Sequence, residues 1–74
     1  MKTIEYQDNG GKRIIAYTDG HICGDSLIIT WNVSQNSFEN HLTAAKLLAE
    51  HTTRKDPELA SKNEGENVYN WKFS

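Results

Sequence analysis

A chain of 74 residues with a formal charge of −2 forms one domain and leaves few classes of function open. So short a chain buries only about 60% of the surface that its unfolded form exposes, so its core supports one sheet and one helix but no second layer. The chain has eight basic and ten acidic residues, so it lacks the strong positive charge of a non-specific nucleic-acid binder.

The first half of the chain is predicted to form three strands. Residues 2–6 alternate between apolar and polar side chains, as a strand does. Residues 8–11, Asp-Asn-Gly-Gly, predict a hairpin turn because Asn and Gly tolerate the positive φ that such turns require. The return strand is predicted over residues 12–18. A third strand is predicted over residues 26–33, and the residues it places on one face are Leu27, Ile29, Trp31 and Val33.

A helix is predicted to begin after Asn36. This residue is a good N-cap, and Glu39 three positions later completes a loose capping box. Apolar residues then recur at spacings of three and four, which is typical of a helix with one buried stripe. The predicted stripe consists of Phe38, Leu42, Ala45, Ala49 and Thr52, with His41 and Leu48 on its flank.

The last part of the chain is predicted to hold a short helix and a final strand. Pro57 disfavours helix at the residue before it and suits the first turn of a new helix over residues 57–61. Residues 67–73 alternate again, with Tyr69, Trp71 and Phe73 on one face. The fold class is therefore predicted to be α+β. It is a single domain over residues 1–74 with the order β-β-β-α-β, a mostly antiparallel four-stranded sheet and one main helix packed on one face.

No residue pattern predicts catalysis or metal binding. Cys23 is the only cysteine, which excludes an internal disulfide, and its spacing from His21, His41 and His51 matches no structural zinc pattern. The chain also lacks the glycine-rich signatures of phosphate loops and dinucleotide sites. We therefore expect no catalytic residue, no metal, no cofactor and no enzymatic activity.

The chain is expected to be cytoplasmic. Glu5 stands where a signal peptide needs an apolar run. No apolar stretch approaches the roughly 20 residues that a membrane-spanning helix needs, so no membrane contact is expected.

The first candidate binding surface is the outer face of the predicted sheet. If Ile14 and Ala16 face the helix, their neighbours in the same strand must face away from it. The alternative is that the sheet curls and these residues complete the core. The outer-face residues predicted to bind another protein are Arg13, Ile15, Tyr17 and Ile28.

The second candidate is the exposed back of the helix. Leu47 lies opposite the predicted stripe, with Ala44, Asn40 and His51 around it, so Leu47 and His51 are predicted contact residues. The alternative is a solvated helix back. On this surface Leu47 with Ala44 would be the centre of a small apolar patch.

The expected function is stoichiometric binding to a larger protein or protein complex. In size, mild acidity and one-helix-on-a-sheet architecture, the chain resembles small accessory proteins of bacteriophages and mobile elements, including anti-CRISPR inhibitors of host defence. That resemblance covers the general character of the chain and implies a protein that blocks another protein's surface. Two alternatives remain. One is a nucleic-acid binder, with Tyr6 or Tyr17 stacking on bases and Arg13 or Lys72 holding phosphate, against which the net charge argues. The other is a structural subunit that forms a homodimer.

Overall fold

The structure of the chain, a computed structural model, describes residues 1–18, 26–52, 56–63, 65 and 67–73. One helix and one antiparallel sheet of five strands make a small α+β domain, which confirms the predicted fold class. The sheet has one strand more than the four predicted. The elements are β1 Lys2–Asp8, β2 Gly11–Tyr17, β3 Ser26–Thr30, α1 Ser37–Thr52, β4 Pro57–Asn63 and β5 Val68–Phe73.

The strand order across the sheet is β3-β2-β1-β5-β4, and every neighbouring pair is antiparallel. The predicted hairpin joins β1 and β2, where Asp8 pairs with Gly11. The Asp8 carboxylate accepts a hydrogen bond of 2.7 Å from the N–H of Gly10, and Gly11 adopts a φ of 122°. The Asn-Gly signal therefore sets the register of the two strands at the centre of the fold.

The short helix predicted over residues 57–61 is wrong, because this segment is the edge strand β4. Pro57 stands at the first position of that strand, where a missing backbone N–H costs little on an edge. The segment pairs with β5 from Pro57 opposite Phe73 to Asn63 opposite Val68, with one irregularity of register between Leu59 and Ser61. Long-range pairing thus outweighs the local preference for a helical turn.

The core lies between α1 and one face of the sheet. Ile14 and Ala16 of β2 are fully buried against Ala44 and Leu48 of the helix. A second cluster joins Ala45 to the buried aromatic residues of β5, Tyr69 and Trp71. Burying each large apolar side chain here contributes about 1.5–3 kcal/mol.

The helix begins as predicted. The Asn36 side chain accepts a hydrogen bond of 2.8 Å from the N–H of Glu39. The buried stripe, however, is rotated from the predicted one: Ala44 is fully buried, whereas Phe38 is 42% exposed. Alanine at the contact lets the helix approach the sheet closely, and Phe38 lies at the rim with its ring 6.0 Å from that of Trp71.

The third strand ends at Thr30, earlier than predicted. Residues 32–36, here called the 32–36 turn, connect β3 to the helix, and a hydrogen bond of 3.1 Å from the N–H of Gln35 to the carbonyl of Asn32 closes this turn. Val33, predicted to face the core, is 92% exposed at this turn. The buried side chain of Asn40 holds the turn, because its amide contacts the backbone of Asn32 at 2.8 and 2.9 Å, as well as the carbonyls of Gln35 and Asn36.

Candidate protein-binding surface

The face of the sheet away from α1, here called the outer face, carries a row of aliphatic side chains. In the register of the sheet Ile28 lies opposite Ile15, Ile15 opposite Ile4, and Ile4 opposite Val68. Residues directly opposite one another on neighbouring strands project to the same face and contact each other. This aliphatic row, Ile28-Ile15-Ile4-Val68, therefore crosses four strands. In the part of the chain that the structure describes, no helix or strand packs on it.

The other outer-face residues predicted from the sequence lie beside the aliphatic row. Tyr17 is opposite both Lys2 and Ser26, and Arg13 is opposite both Tyr6 and Thr30. Ile28 at the edge is 55% exposed, while Ile15 and Tyr17 are half-buried by their neighbours. The structure thus brings the predicted residues Arg13, Ile15, Tyr17 and Ile28 together on one open face.

Basic groups surround the aliphatic row. Arg13 is held by the Asp8 carboxylate, with Nε 2.7 Å from Oδ2. Lys72 lies opposite Glu58 across β4 and β5, and Lys2 has no ion-pair partner among the described residues. Among the described strand residues of this face, the three cations Lys2, Arg13 and Lys72 outnumber the two carboxylates of Asp8 and Glu58, although the whole chain is negative.

The predicted helix-back patch does not form. Leu47 is 41% exposed and His51 is exposed, as expected. Ala44 and Asn40, however, are buried, because α1 turns Ala44 toward the sheet and the 32–36 turn covers Asn40. Leu47 is left among polar neighbours, and a single exposed leucine is common on protein surfaces.

The helix-facing side of the sheet holds a buried polar network. The indole N–H of Trp71 donates to Thr3 Oγ1 at 2.8 Å, and Thr3 Oγ1 lies 2.7 Å from His41 Nδ1. His41 Nε2 lies 3.2 Å from Glu5 Oε1. Because the Glu5 carboxylate can only accept, Nε2 carries a proton and donates it to Glu5. In the neutral form of His41, Nδ1 is then the acceptor, and the Thr3 hydroxyl donates to it while accepting from the indole.

Charge and aromatic contacts complete this network. Lys12 Nζ lies 2.5 Å from the second oxygen of Glu5 and 4.0 Å from the centre of the Trp31 ring. Burial lowers the pKa of His41 below 6.5, although the Glu5 carboxylate opposes this shift. Burial alone would raise the pKa of Glu5, but hydrogen bonds from Lys12 and His41 outweigh it, so that the pKa lies below 4.5.

The order hydroxyl, imidazole, carboxylate is that of a nucleophilic catalytic site, but its burial indicates a structural role. Thr3 and His41 are both 0% exposed, and the Thr3 hydroxyl already accepts the indole proton. A nucleophile must reach a substrate atom, and this one lies beneath the helix. Among the described residues no group of three or more His, Cys, Asp or Glu side chains could hold a metal ion. His21 and Cys23 lie outside the described residues.

A cavity of about 430 Å³ opens beside the start of α1. The residues that line it include Glu5, Phe38, Lys62 and Tyr69. The Glu5 carboxylate is already bound to Lys12 and His41. The cavity is therefore a weaker candidate for recognition than the outer face.

Sequence reasoning missed the Thr3–His41–Glu5 network and the anchoring role of Asn40. The available signal was that Thr3 and Glu5 share one face of β1, where period-two alternation places polar residues together. Their partners lie far away in the chain, so this pattern alone could not identify them.

Comparisons with protein-family models, curated proteins and solved structures found no match for this chain. Among the described residues, no helix has the length and apolar character needed to cross a membrane.

Proposed function

We propose that this chain is a non-enzymatic binding module that docks its outer face on a larger protein or protein complex of the cytoplasm. The observation that carries the proposal is the aliphatic row, which crosses four strands with nothing packed on it in the described structure. In its general character the chain resembles accessory proteins of phages and mobile elements. The proposed action is therefore inhibition by steric blocking, as by an anti-CRISPR protein.

The distribution of large and small side chains supports this proposal. The buried core includes Ala16 and Ala44 and even encloses the polar Thr3 and His41. The aliphatic row, by contrast, lies on the uncovered face. A short chain with few large apolar residues would gain stability by placing them inside. Their position outside favours a role in recognition, where an apolar centre flanked by tyrosines is typical of binding hot spots.

Charge indicates the chemistry of the partner. Of the cations around the aliphatic row, Lys2 has no ion-pair partner among the described residues, so a complementary surface would have an apolar centre and a carboxylate at its rim opposite Lys2. Steric blocking requires only that this complex persist, because the bound chain covers the surface that another molecule needs. The proposal involves no turnover and no cofactor.

The test compares two variants of the full chain that differ in the surface they change. Partners are captured from bacterial lysates after nuclease treatment, identified, purified and titrated by calorimetry. The outer-face variant Ile15→Ser with Tyr17→Ala should lose binding, while the helix-back variant Leu47→Ser should retain the affinity of the natural chain. Circular dichroism checks that both variants fold. Full binding by the outer-face variant would overturn the proposal.

A second candidate is recognition of single-stranded nucleic acid. This candidate is supported by the shared outer face of two tyrosines and two cations, Tyr6, Tyr17, Arg13 and Lys72, because base stacking with phosphate contact uses aromatic and basic side chains together. The net charge of −2 argues against it. A steep fall of affinity with rising salt, or loss of all captured partners after nuclease treatment, would favour this candidate.

A further inference from the structure

The two edges of the sheet differ in how they are protected from further pairing. Among the described strands, β3 and β4 form the edges. Strand β4 carries Pro57, the charged residues Glu58 and Lys62, and an irregularity of register between Leu59 and Ser61. Proline, charge and bulges are the usual devices that prevent an edge strand from pairing with another chain. Strand β4 is therefore a protected edge.

Strand β3 has none of these devices. Its sequence, Ser-Leu-Ile-Ile-Thr, contains no charge and no proline, and its pairing with β2 is regular along its full length. Residues 26–38 as a whole contain no Lys, Arg, Asp or Glu. Such a strand has high β propensity and an unguarded row of backbone groups, which is the condition for adding another strand.

The hydrogen-bond pattern shows which backbone groups of β3 point away from the sheet. The N–H of Trp31 donates to the carbonyl of Lys12 at 3.0 Å, so Trp31 and Lys12 form a hydrogen-bonded pair. Since such pairs alternate along an antiparallel ladder, Leu27 and Ile29 also bond to β2. The N–H and C=O groups of Ser26, Ile28 and Thr30 therefore point toward the open edge. Their side chains lie on the outer face.

This edge is self-complementary. If a second copy pairs antiparallel with Ile28 opposite Ile28, then Ser26 lies opposite Thr30 and Leu27 opposite Ile29. Apolar side chains meet apolar ones, small polar side chains meet small polar ones, and no like charges oppose each other. The open backbone groups of Ser26, Ile28 and Thr30 then pair with their counterparts as hydrogen-bonded pairs. The aliphatic row continues directly into that of the second copy.

We infer that two copies of this chain join through β3 in this register, forming a symmetric dimer with one continuous sheet. Such an interface is isologous and uses each β3 edge once. The outer edges of the dimer are then the two β4 strands, which carry Pro57 and charge, so the assembly closes at two copies. The inference does not depend on the proposed function. The outer face of each copy stays open.

The first test is the mass of the natural chain in solution. Sedimentation over about 1 μM to about 1 mM should show a reversible shift from 8.4 kDa to twice that mass. A monomer throughout this range would overturn the inference. A dimer that captures no other protein would support the inference and count against the proposed function, so the two can fail separately.

A cross-linking test decides whether that dimer uses this edge and register. In a Cys23→Ser background, Ile28→Cys should form an intermolecular disulfide under mild oxidation, because Cα atoms of a directly opposed hydrogen-bonded pair lie about 5.5 Å apart. The matched variant Thr30→Cys should not, since the two Thr30 positions would be about 13 Å apart along the strands. A dimer in which Ile28→Cys fails to cross-link, or in which Thr30→Cys cross-links equally well, would overturn the inference.

Two charge variants test the same register without cross-linking. Ser26→Glu with Thr30→Glu would place like charges opposite each other at both ends of the paired strands, and dimerisation should weaken about tenfold or more. Ser26→Lys with Thr30→Glu would place opposite charges there and should retain the dimer. Equal dimerisation by both variants would contradict the pairing of Ser26 with Thr30.

Discussion

Replacing Thr3 by valine removes one oxygen atom from the buried network and leaves β1 otherwise almost unchanged. Both residues are β-branched and nearly equal in size, so strand geometry and packing are retained. The substitution leaves the indole N–H of Trp71 without its acceptor at 2.8 Å and His41 Nδ1 without its donor at 2.7 Å. Because Thr3 and His41 are both fully buried, water does not replace the lost partner.

Each buried polar group left without a partner costs about 1–3 kcal/mol, so the two together cost about 2–6 kcal/mol. Burial of the methyl group that replaces the hydroxyl stabilises the folded chain by about 1 kcal/mol, which offsets part of this cost. A chain of 74 residues has a free energy of unfolding of about 4–11 kcal/mol in all. We therefore expect Thr3→Val to lower that free energy by about 3 kcal/mol, a large fraction of the total.

The assay is urea denaturation followed by circular dichroism, at one protein concentration for all variants. With a slope of about 1 kcal/mol per molar urea, the midpoint should fall by about 3 M. The matched control is Ser61→Ala, which also removes one hydroxyl, at an exposed strand position, and should stay within about 0.5 kcal/mol of the natural chain. If Thr3→Val and Ser61→Ala differ by less than about 0.5 kcal/mol, the assignment of the network as structural support is refuted.

Two further predictions concern the same buried polar groups. Because the pKa of His41 is below 6.5 in the folded state, the unfolded chain binds the proton more readily, and the free energy of unfolding should fall as pH drops below about 6.5. Denaturation midpoints that stay constant from pH 7 to pH 5 would contradict the neutral assignment of His41. A further loss of stability should follow below pH 4.5, because the pKa of Glu5 is lowered in the folded chain and its carboxylate therefore takes up a proton first in the unfolded chain. Asn40→Ala should cost about 2–4 kcal/mol, because it leaves backbone groups of the 32–36 turn without partners, and amide exchange at Asn32 should accelerate. The exposed Asn63→Ala is its control, and equal melting temperatures of the two variants would show that Asn40 does not anchor the turn.

Local sequence signals predicted the elements that depend on neighbouring residues. The Asn-Gly turn specifies the β1–β2 hairpin because two residues with suitable backbone freedom suffice to reverse the chain. Asn36 marks the start of the helix since its side chain reaches an N–H only three residues away. The alternation in β2 also predicted that Ile14 and Ala16 lie on one face of the sheet. Ile15 and Tyr17 lie on the opposite face, as predicted.

Elements that depend on distant residues were not predictable in this way. The segment from Pro57 has the local character of a helical turn, yet it becomes β4 because β5 pairs with it from Pro57 to Asn63, with one irregularity of register between Leu59 and Ser61. Val33 continues the alternation of β3, but Asn40, which is in the helix, fixes a turn at that position. The helix packs with Ala44 against the sheet because the surfaces of the helix and the sheet fit each other in that orientation.

By itself the sequence determined the α+β class, the hairpin, the start of the helix and the two-faced character of the strands, because each follows from contacts among near neighbours. Only the tertiary structure decided which face of β1 is inside. Alternation along β1 places Ile4 on one face and Thr3 and Glu5 on the other, but it does not predict which of the two faces packs against the helix. Thr3 and Glu5 can be buried because His41 and Trp71 satisfy their hydrogen bonds from 36 to 68 residues away. Because Thr3 and Glu5 face the helix, Ile4 and the rest of the aliphatic row face away from it. They form the surface on which the proposed function depends.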